Sequence, residues 1–178
     1  PVQSGSNRIL KNMNRNHTIE DYLFLIEKLK KVNPKIKFSS DFIIGYPGET
    51  DKDFNETLNL IDKVEFINTY SFIFSPRPGT PAAKMNPIEE NLAKERLIIF
   101  QKKAEEKKLN YRKRLFNQKS LVLFENKMKN KDLFFGRDEF QNSVVVKNEE
   151  NLKGKIKEVE IINGNRNTLF GQIKHKMN

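Results

Sequence analysis

A chain of 178 residues with 33 Lys and Arg against 23 Asp and Glu carries a net charge of +10 and a pI near 9.7, a balance that suits a polyanion such as nucleic acid. With 37% hydrophobic residues and 14 Phe it can bury a core, which excludes global disorder, and without cysteine it holds no disulfide and no thiolate-bound metal. No apolar run approaches the ~20 residues of a bilayer span and no signal peptide opens the sequence, so a cytoplasmic protein with no membrane association is expected. Lys and Asn are abundant throughout, as in proteins of AT-rich genomes, and part of the positive excess is open to that plainer explanation.

Pro1-Val2-Gln3 reads as the tail of a strand, and the first residue is not methionine, so a fragment of a longer protein is expected. Gln3–Ser6 is a polar turn in which Ser6 caps a short helix carrying Ile9, Leu10 and Met13. Thr18 and Asp21 open a longer helix with Ile19, Tyr22, Leu23, Ile26, Leu29 and Val32 on its apolar side, ended by Asn33-Pro34. Phe38–Ile44 then predicts a strand covered on both faces, since Ile36, Phe38, Phe42 and Ile44 recur at period two and Ile43 makes the far end apolar on both sides. Pro47-Gly48 marks a tight turn, and Thr50 with Asp53 starts the next helix, buried through Phe54, Leu58, Ile61 and Val64.

Tyr70, Phe72 and Phe74 alternate with Ser71 and Ile73 as a further strand, which leaves through the proline-stiffened loop Ser75–Pro81. Asn86-Pro87 is expected to begin a helix that runs to about Leu115 and is crowded with Lys and Arg from Lys102 to Arg114. The first half thus repeats strand, polar loop and helix three times, which places the loops Gln3–Ser6, Gly45–Glu49 and Ser75–Thr80 at one edge, facing one ligand cleft. Arg77, on the stiff loop, is well placed to meet a carboxylate or phosphate. His17 and His175 form no metal-ligand spacing and are read as surface residues.

After Asn117 short β-like runs follow one another at Leu121–Glu125, Leu133–Gly136, Val144–Lys147, Ile156–Ile162 and Leu169–Ile173, a pattern that predicts a small barrel of the oligonucleotide-binding kind. Gly136 and Gly154 mark bulges or sharp turns. Arg137 beside Phe134, Phe135 and Phe140, and the segment containing Lys153, Lys155 and Lys157, combine charge with stacking surface and are the candidates for gripping RNA. The Lys102–Arg114 run reads more readily as a solvated face.

Several stretches resemble one family. Pro1–Ser6, Met13-Asn14-Arg15 with His17-Thr18, Asp41–Thr50 and Tyr70–Ala83 are similar to the tRNA methylthiotransferases, best to the MiaB type, and the last segment resembles the TRAM domain found in them. The resemblance covers nearly the whole chain. It implies an α/β fold: the back half of a partial radical-SAM α/β barrel (three βα units, residues 1–116) followed by a small five-stranded OB-like TRAM β-barrel (residues 117–178). It implies S-adenosylmethionine (SAM) and 4Fe-4S clusters as cofactors, with the cluster cysteines outside these residues, so that this piece alone is inactive. Gln3 and Ser4 are then expected to make polar contacts to SAM, and Gly45, Gly48 and Glu49 to pack or organise its adenine site. Substrate contacts fall to Arg77, Arg137, Lys153, Lys155 and Lys157, with no catalytic and no metal-binding residue within the chain. The implied reaction adds a methylthio group to the isopentenyl-modified adenosine beside the tRNA anticodon, in a monomeric parent enzyme whose sulfur donor is left open. The alternatives are a threonylcarbamoyladenosine tRNA methylthiotransferase and a non-catalytic RNA-binding module.

Overall fold

The computed structural model describes residues 1–129 and 132–173. The chain forms two compact units, Pro1–Lys107 and Lys108–Asn178.

In the first unit α1 (Asn7–Asn12) and α2 (Ile19–Val32) precede β1 (Phe38–Ile44), α3 (Asp51–Lys63), β2 (Phe66–Ile73) and the long α4 (Glu90–Lys113), within which the division between units falls. β1 and β2 pair in parallel, as two strands joined by a helical crossover must when they lie side by side. Before α1, the chain adds itself to the free edge of β1: the Gln3 N–H donates to Asp41 O (3.1 Å) and the Ile43 N–H to Gln3 O (2.9 Å). The helices start where side chains satisfy their first N–H groups. Thr18 and Asp21 form a complete capping box on α2, as do Thr50 and Asp53 on α3.

β1 buries one face, Ser40, Phe42 and Ile44, against a core that includes Leu10, Ile26, Phe54, Ile61, Phe66 and Phe100. The Phe42 ring meets Phe66 edge-on at 5.6 Å and Phe100 at 4.8 Å. The expectation of a strand covered on both faces is corrected here. Asp41 and Ile43 are only half-buried and line an open cleft, because the helices pack on one side of the sheet alone.

Three further differences have local causes. The apolar stripe of α2 ends at Ile26, since Leu29 and Val32 lie on the exposed side. β2 begins at Phe66, earlier than expected, because Phe66 and Ile67 are buried and pair along β1. α4 starts at Glu90 instead of Pro87: the Glu89 carboxylate accepts from the Asn91 and Leu92 N–H groups (both 3.1 Å) and so fixes the first turn there.

The second unit is a closed five-stranded barrel in the order β3-β4-β5-β7-β6, with β3 Lys119–Lys127, β4 Leu133–Asp138, β5 Ser143–Lys147, β6 Ile156–Gly164 and β7 Leu169–Gln172. Val122, Phe124, Phe134, Val144, Val146, Val159, Ile161 and Leu169 fill it. Closure leaves no free sheet edge. Gly136 sits opposite Phe124 beside a bulge in β3, where a Cβ would lie 2.4 Å from Leu123 O. The last turn of α4 is held by residues of this unit, with Arg112 donating to Asn165 O (2.7 Å) and Asn142 to the Tyr111 hydroxyl (3.3 Å). His175 lies outside the described residues. His17 is half-buried beside Tyr22 instead of at the surface, held there by the start of α2.

Candidate functional site

The C-terminal ends of the strands open into a cleft of about 1080 Å³ in the first unit. Its rim is made by the two flanking loops: Gln3 on one side, Ser75, Arg77 and Thr80 on the other, with Tyr46 from the glycine turn between them. The end of α1 and the turn after it add Lys11, Asn12, Met13, Asn14 and Arg15, and the sheet contributes Asp41, Ile43, Phe72 and Phe74. The convergence expected of the three loops is therefore present.

Two features show how the backbone is held at this rim. Gln3 adopts φ 73 and is buried, a left-handed conformation that costs energy outside glycine and is retained where surroundings impose it. Here the two hydrogen bonds to β1 impose it. Tyr46 bridges rim and floor: its ring meets Phe74 at 5.0 Å, and its hydroxyl donates to Asn12 O (2.9 Å), tying the glycine turn to the end of α1.

The other residues singled out in these loops have internal partners. Ser4 is fully buried, its Oγ 3.3 Å from Thr57 Oγ1, which also accepts the Gly5 N–H at 2.9 Å. Glu49 accepts from the Gly45 N–H (3.2 Å) and from Arg96 Nη1 (2.9 Å), and Arg96 also reaches Glu49 O and Asp51. Burial pushes the Glu49 carboxyl up, an effect that Arg96 only partly offsets. Glu49 thus braces the turn from behind while Arg96 pins the start of α3. Gly45 takes φ 73 and Gly48 φ 78; a Cβ on Gly45 would lie 2.9 Å from Ala93, while around Gly48 there is open space.

Beside this turn, Asp53 accepts from Ser6 Oγ (2.6 Å), from the Thr50 N–H (2.8 Å) and from the Arg8 guanidinium, while Arg8 also donates to Gly48 O (2.7 Å). Burial would raise the Asp53 carboxyl, but the bonds from Arg8, Ser6 and Thr50 outweigh it and hold the group far below the usual range. This node locks the first loop to the second.

In the second unit Arg137 lies exposed on β4, its Nε 3.3 Å from Glu125 and its guanidinium over the Phe135 ring at 5.7 Å. Phe134 is core, whereas Phe135 and Phe140 are half-buried. Lys153, Lys155 and Lys157 are exposed around the Gly154 turn, where φ is 77. The Lys102–Arg114 run is divided: Lys103 and Lys107 both pair with Asp62 (2.6 and 2.8 Å), and Arg112 is buried.

Sequence reasoning passed over Lys11, Arg15, Asp41 and Phe74 as cleft residues, and Arg96 and Arg8 as braces. Asp41 was visible in principle, since period two puts it opposite the buried Phe42. The two arginines act across 47 and 45 residues of sequence and leave no local pattern.

Comparison with known proteins fits this geometry. Residues 1–61 match the Radical SAM superfamily, and residues 113–174 match the TRAM domain. One stretch of the chain is thus similar to radical SAM proteins and another to the TRAM domain. It is 55% identical over 174 residues to the tRNA-2-methylthio-N(6)-dimethylallyladenosine synthase of Pelagibacter ubique, which covers 97% of this chain and 39% of that protein. Proteins of the same name from Wolbachia pipientis subsp. Culex pipiens and Psychrobacter cryohalolentis are 52% and 58% identical over 62% and 57% of this chain, covering 26% and 21% of their own lengths. The chain spans less than two fifths of the length of these relatives.

Among the described residues no cluster of His, Cys, Asp or Glu could hold a metal, and the sequence has no cysteine, so the donors needed for an iron–sulfur cluster are not found in these 178 residues. The cleft does suit SAM. It offers an amide, hydroxyls and guanidinium groups for an amino-acid end, and the Tyr46–Phe74 pair for an adenine.

Proposed function

We propose that these residues form part of a radical SAM methylthiotransferase that adds a methylthio group to the N6-dimethylallyl adenosine beside the tRNA anticodon. The observation that carries this reading is the likeness to synthases of that name over 97% of the chain, set on a cleft at the strand ends. Residues 1–116 serve as the cofactor-bearing α/β part and residues 117–178 as the tRNA-gripping barrel. A 4Fe-4S cluster is held by cysteines outside these residues, and the parent enzyme works as a cytoplasmic monomer. The threonylcarbamoyladenosine reaction is a second, less supported reading.

Bound at the rim, SAM supplies the methyl group and the radical chemistry. The protein's part is to bind, orient and exclude water. Gln3 and Ser75 offer hydrogen bonds at the strand ends, while Arg77 and Arg15 meet carboxylate or phosphate. Tyr46 and Phe74 supply an apolar wall; Gly48 leaves backbone bare in the turn beside it, while Gly45 makes room for Ala93 of α4. Ser4 and Glu49 act one layer behind, fixing the loops that carry those groups. On the barrel, Arg137, Lys153, Lys155 and Lys157 neutralise tRNA phosphates.

The test is nucleoside analysis. A bacterial strain lacking its own methylthio-dimethylallyladenosine synthase is given the gene for the whole parent enzyme that contains these residues, and its tRNA is hydrolysed and examined by mass spectrometry. Methylthio-dimethylallyladenosine is expected. Accumulation of dimethylallyladenosine alone would contradict the assignment, and methylthiolated threonylcarbamoyladenosine would favour the second reading.

A further inference from the structure

The outer wall of the barrel carries an aromatic row. Phe134, Val144, Val146 and Leu169 fill the core, so alternation turns Phe135, Val145 and Phe170 outward. Strand pairing sets these three side by side, Phe135 next to Val145 on β5 and Val145 next to Phe170 on β7. The row ends in amides: Asn126 on β3 lies beside Phe135, and Asn163 on β6 beside Phe170. Phe170 is 38% exposed and Phe135 half-buried. The sheet closes on itself within this unit, so no strand from elsewhere is needed to complete the wall.

The chemistry of the wall indicates what lies on it. Along β4, β5 and β7 the outward positions hold Arg137 and Lys147, both exposed, and among the described residues no carboxylate; Glu125 of β3 is already paired with Arg137. Rings edged by cations alone suit a polyanion. The Arg137 guanidinium sits over the Phe135 ring at 5.7 Å, so that ring turns its π face outward. Two strand-to-strand steps put Phe135 and Phe170 roughly 10 Å apart along the sheet, enough for each ring to take its own base. Bases splayed from a single strand can use such rings, whereas a duplex hides its base faces in its own stack.

We propose that Phe135 and Phe170 form a stacking platform for two unpaired nucleotides of the RNA, with Arg137 and Lys147 taking their phosphates and Asn126 and Asn163 offering amides to the base edges. This deepens the tRNA-gripping role proposed above and rests on it. The two kinds of contact have different signatures. Phosphate contacts release counterions and weaken as salt is added, whereas stacking on a neutral ring releases none. Stacking also separates an unpaired loop from a duplex, which phosphate contacts alone do not.

The test uses the whole parent enzyme that contains these residues and two RNAs with equal numbers of phosphates, a stem-loop with an unpaired loop and a fully paired duplex. Affinities are read by fluorescence anisotropy across a salt series, and each variant is checked by thermal melting. Leucine keeps an apolar side chain but no ring. Phe135→Leu and Phe170→Leu should each weaken stem-loop binding about fivefold or more, as loss of one base–ring stack implies. Their salt slope, duplex affinity and melting temperature should stay close to those of the wild type. Phe135→Tyr and Phe170→Tyr keep the ring and should bind the stem-loop as the wild type does. Wild-type stem-loop affinity in both leucine variants would show that no base rests on the rings and would overturn the platform. An equal loss for both RNAs, or a lowered melting temperature that tyrosine restores, would mean that the row packs against another part of the enzyme, and would overturn it too. A wild type that binds neither RNA would instead overturn the proposed tRNA grip itself, and the platform with it.

Discussion

Asp53 is the residue on which the two neighbouring loops depend, because Ser6, Arg8 and Thr50 all donate to it. Its folded-state pKa is depressed, so it contributes stability above the ordinary carboxylate pKa, and that contribution is lost as pH falls below ~4 toward the folded value. Asp53→Asn should therefore unfold more readily than the wild type at pH 7 and about equally at strongly acidic pH, where the wild-type carboxyl is also neutral. Urea titrations at several pH values would show this; a constant gap across the range would mean that charge is not what matters. Glycine positions offer a second residue-scale contrast. At Gly48 only the backbone is special, since φ is 78 and space is open, so Gly48→Val should cost about 1–3 kcal/mol through strain while Gly48→Asn is nearly neutral. At Gly5 φ is unremarkable, but a Cβ would lie 2.4 Å from Glu56 O, so even Gly5→Ala should be severe. Thermal unfolding of the three variants checks the ranking, and a tolerated Gly5→Ala would contradict it.

At the scale of elements, period and caps carried most of the information. Thr18 with Asp21 and Thr50 with Asp53 announce their helices through a bonded pair three residues apart, and both boxes are complete in the structure. The short strands after Asn117 were legible for the same reason: alternation and glycine are local signals. What was not legible depends on partners distant in sequence. The first residue of α4 was assigned to Pro87 by a general preference, but Glu89 caps the helix with its own carboxylate. The apolar run Phe42–Ile44 gave no hint that one face of β1 stays open, because a cleft wall and a core wall use the same side chains. Phe42 illustrates the buried face: it touches the rings of Phe66 and Phe100, and Phe42→Ala should cost about 3–5 kcal/mol by chemical denaturation. Phe72→Ala, on the open face, should cost a small fraction of that.

For the molecule as a whole, the charge of +10 has a division of roles behind it. Part of it is structural: Lys103 and Lys107 pair with Asp62, Arg96 with Glu49 and Asp51, and Arg8 with Asp53. Lys153, Lys155 and Lys157 stand exposed on the barrel, and Arg137 pairs with Glu125, which it would have to exchange for a phosphate in the proposed tRNA contact. If they meet tRNA, log affinity falls linearly with log salt, and Arg137→Ala should flatten that slope by about one phosphate contact, ~0.7–0.9. A parallel line of lower affinity would mean that Arg137 acts through structure instead. The SAM site is tested most directly by calorimetric titration of SAM into the intact parent enzyme and its Gln3→Gly variant, since glycine accepts φ 73 without strain and removes the side chain together with its amide. A SAM site at the rim predicts an affinity about tenfold weaker, the ~1.4 kcal/mol expected for one lost hydrogen bond, with the melting temperature unchanged or raised. Equal SAM affinity in the two proteins would contradict the placement of the cofactor at the strand ends.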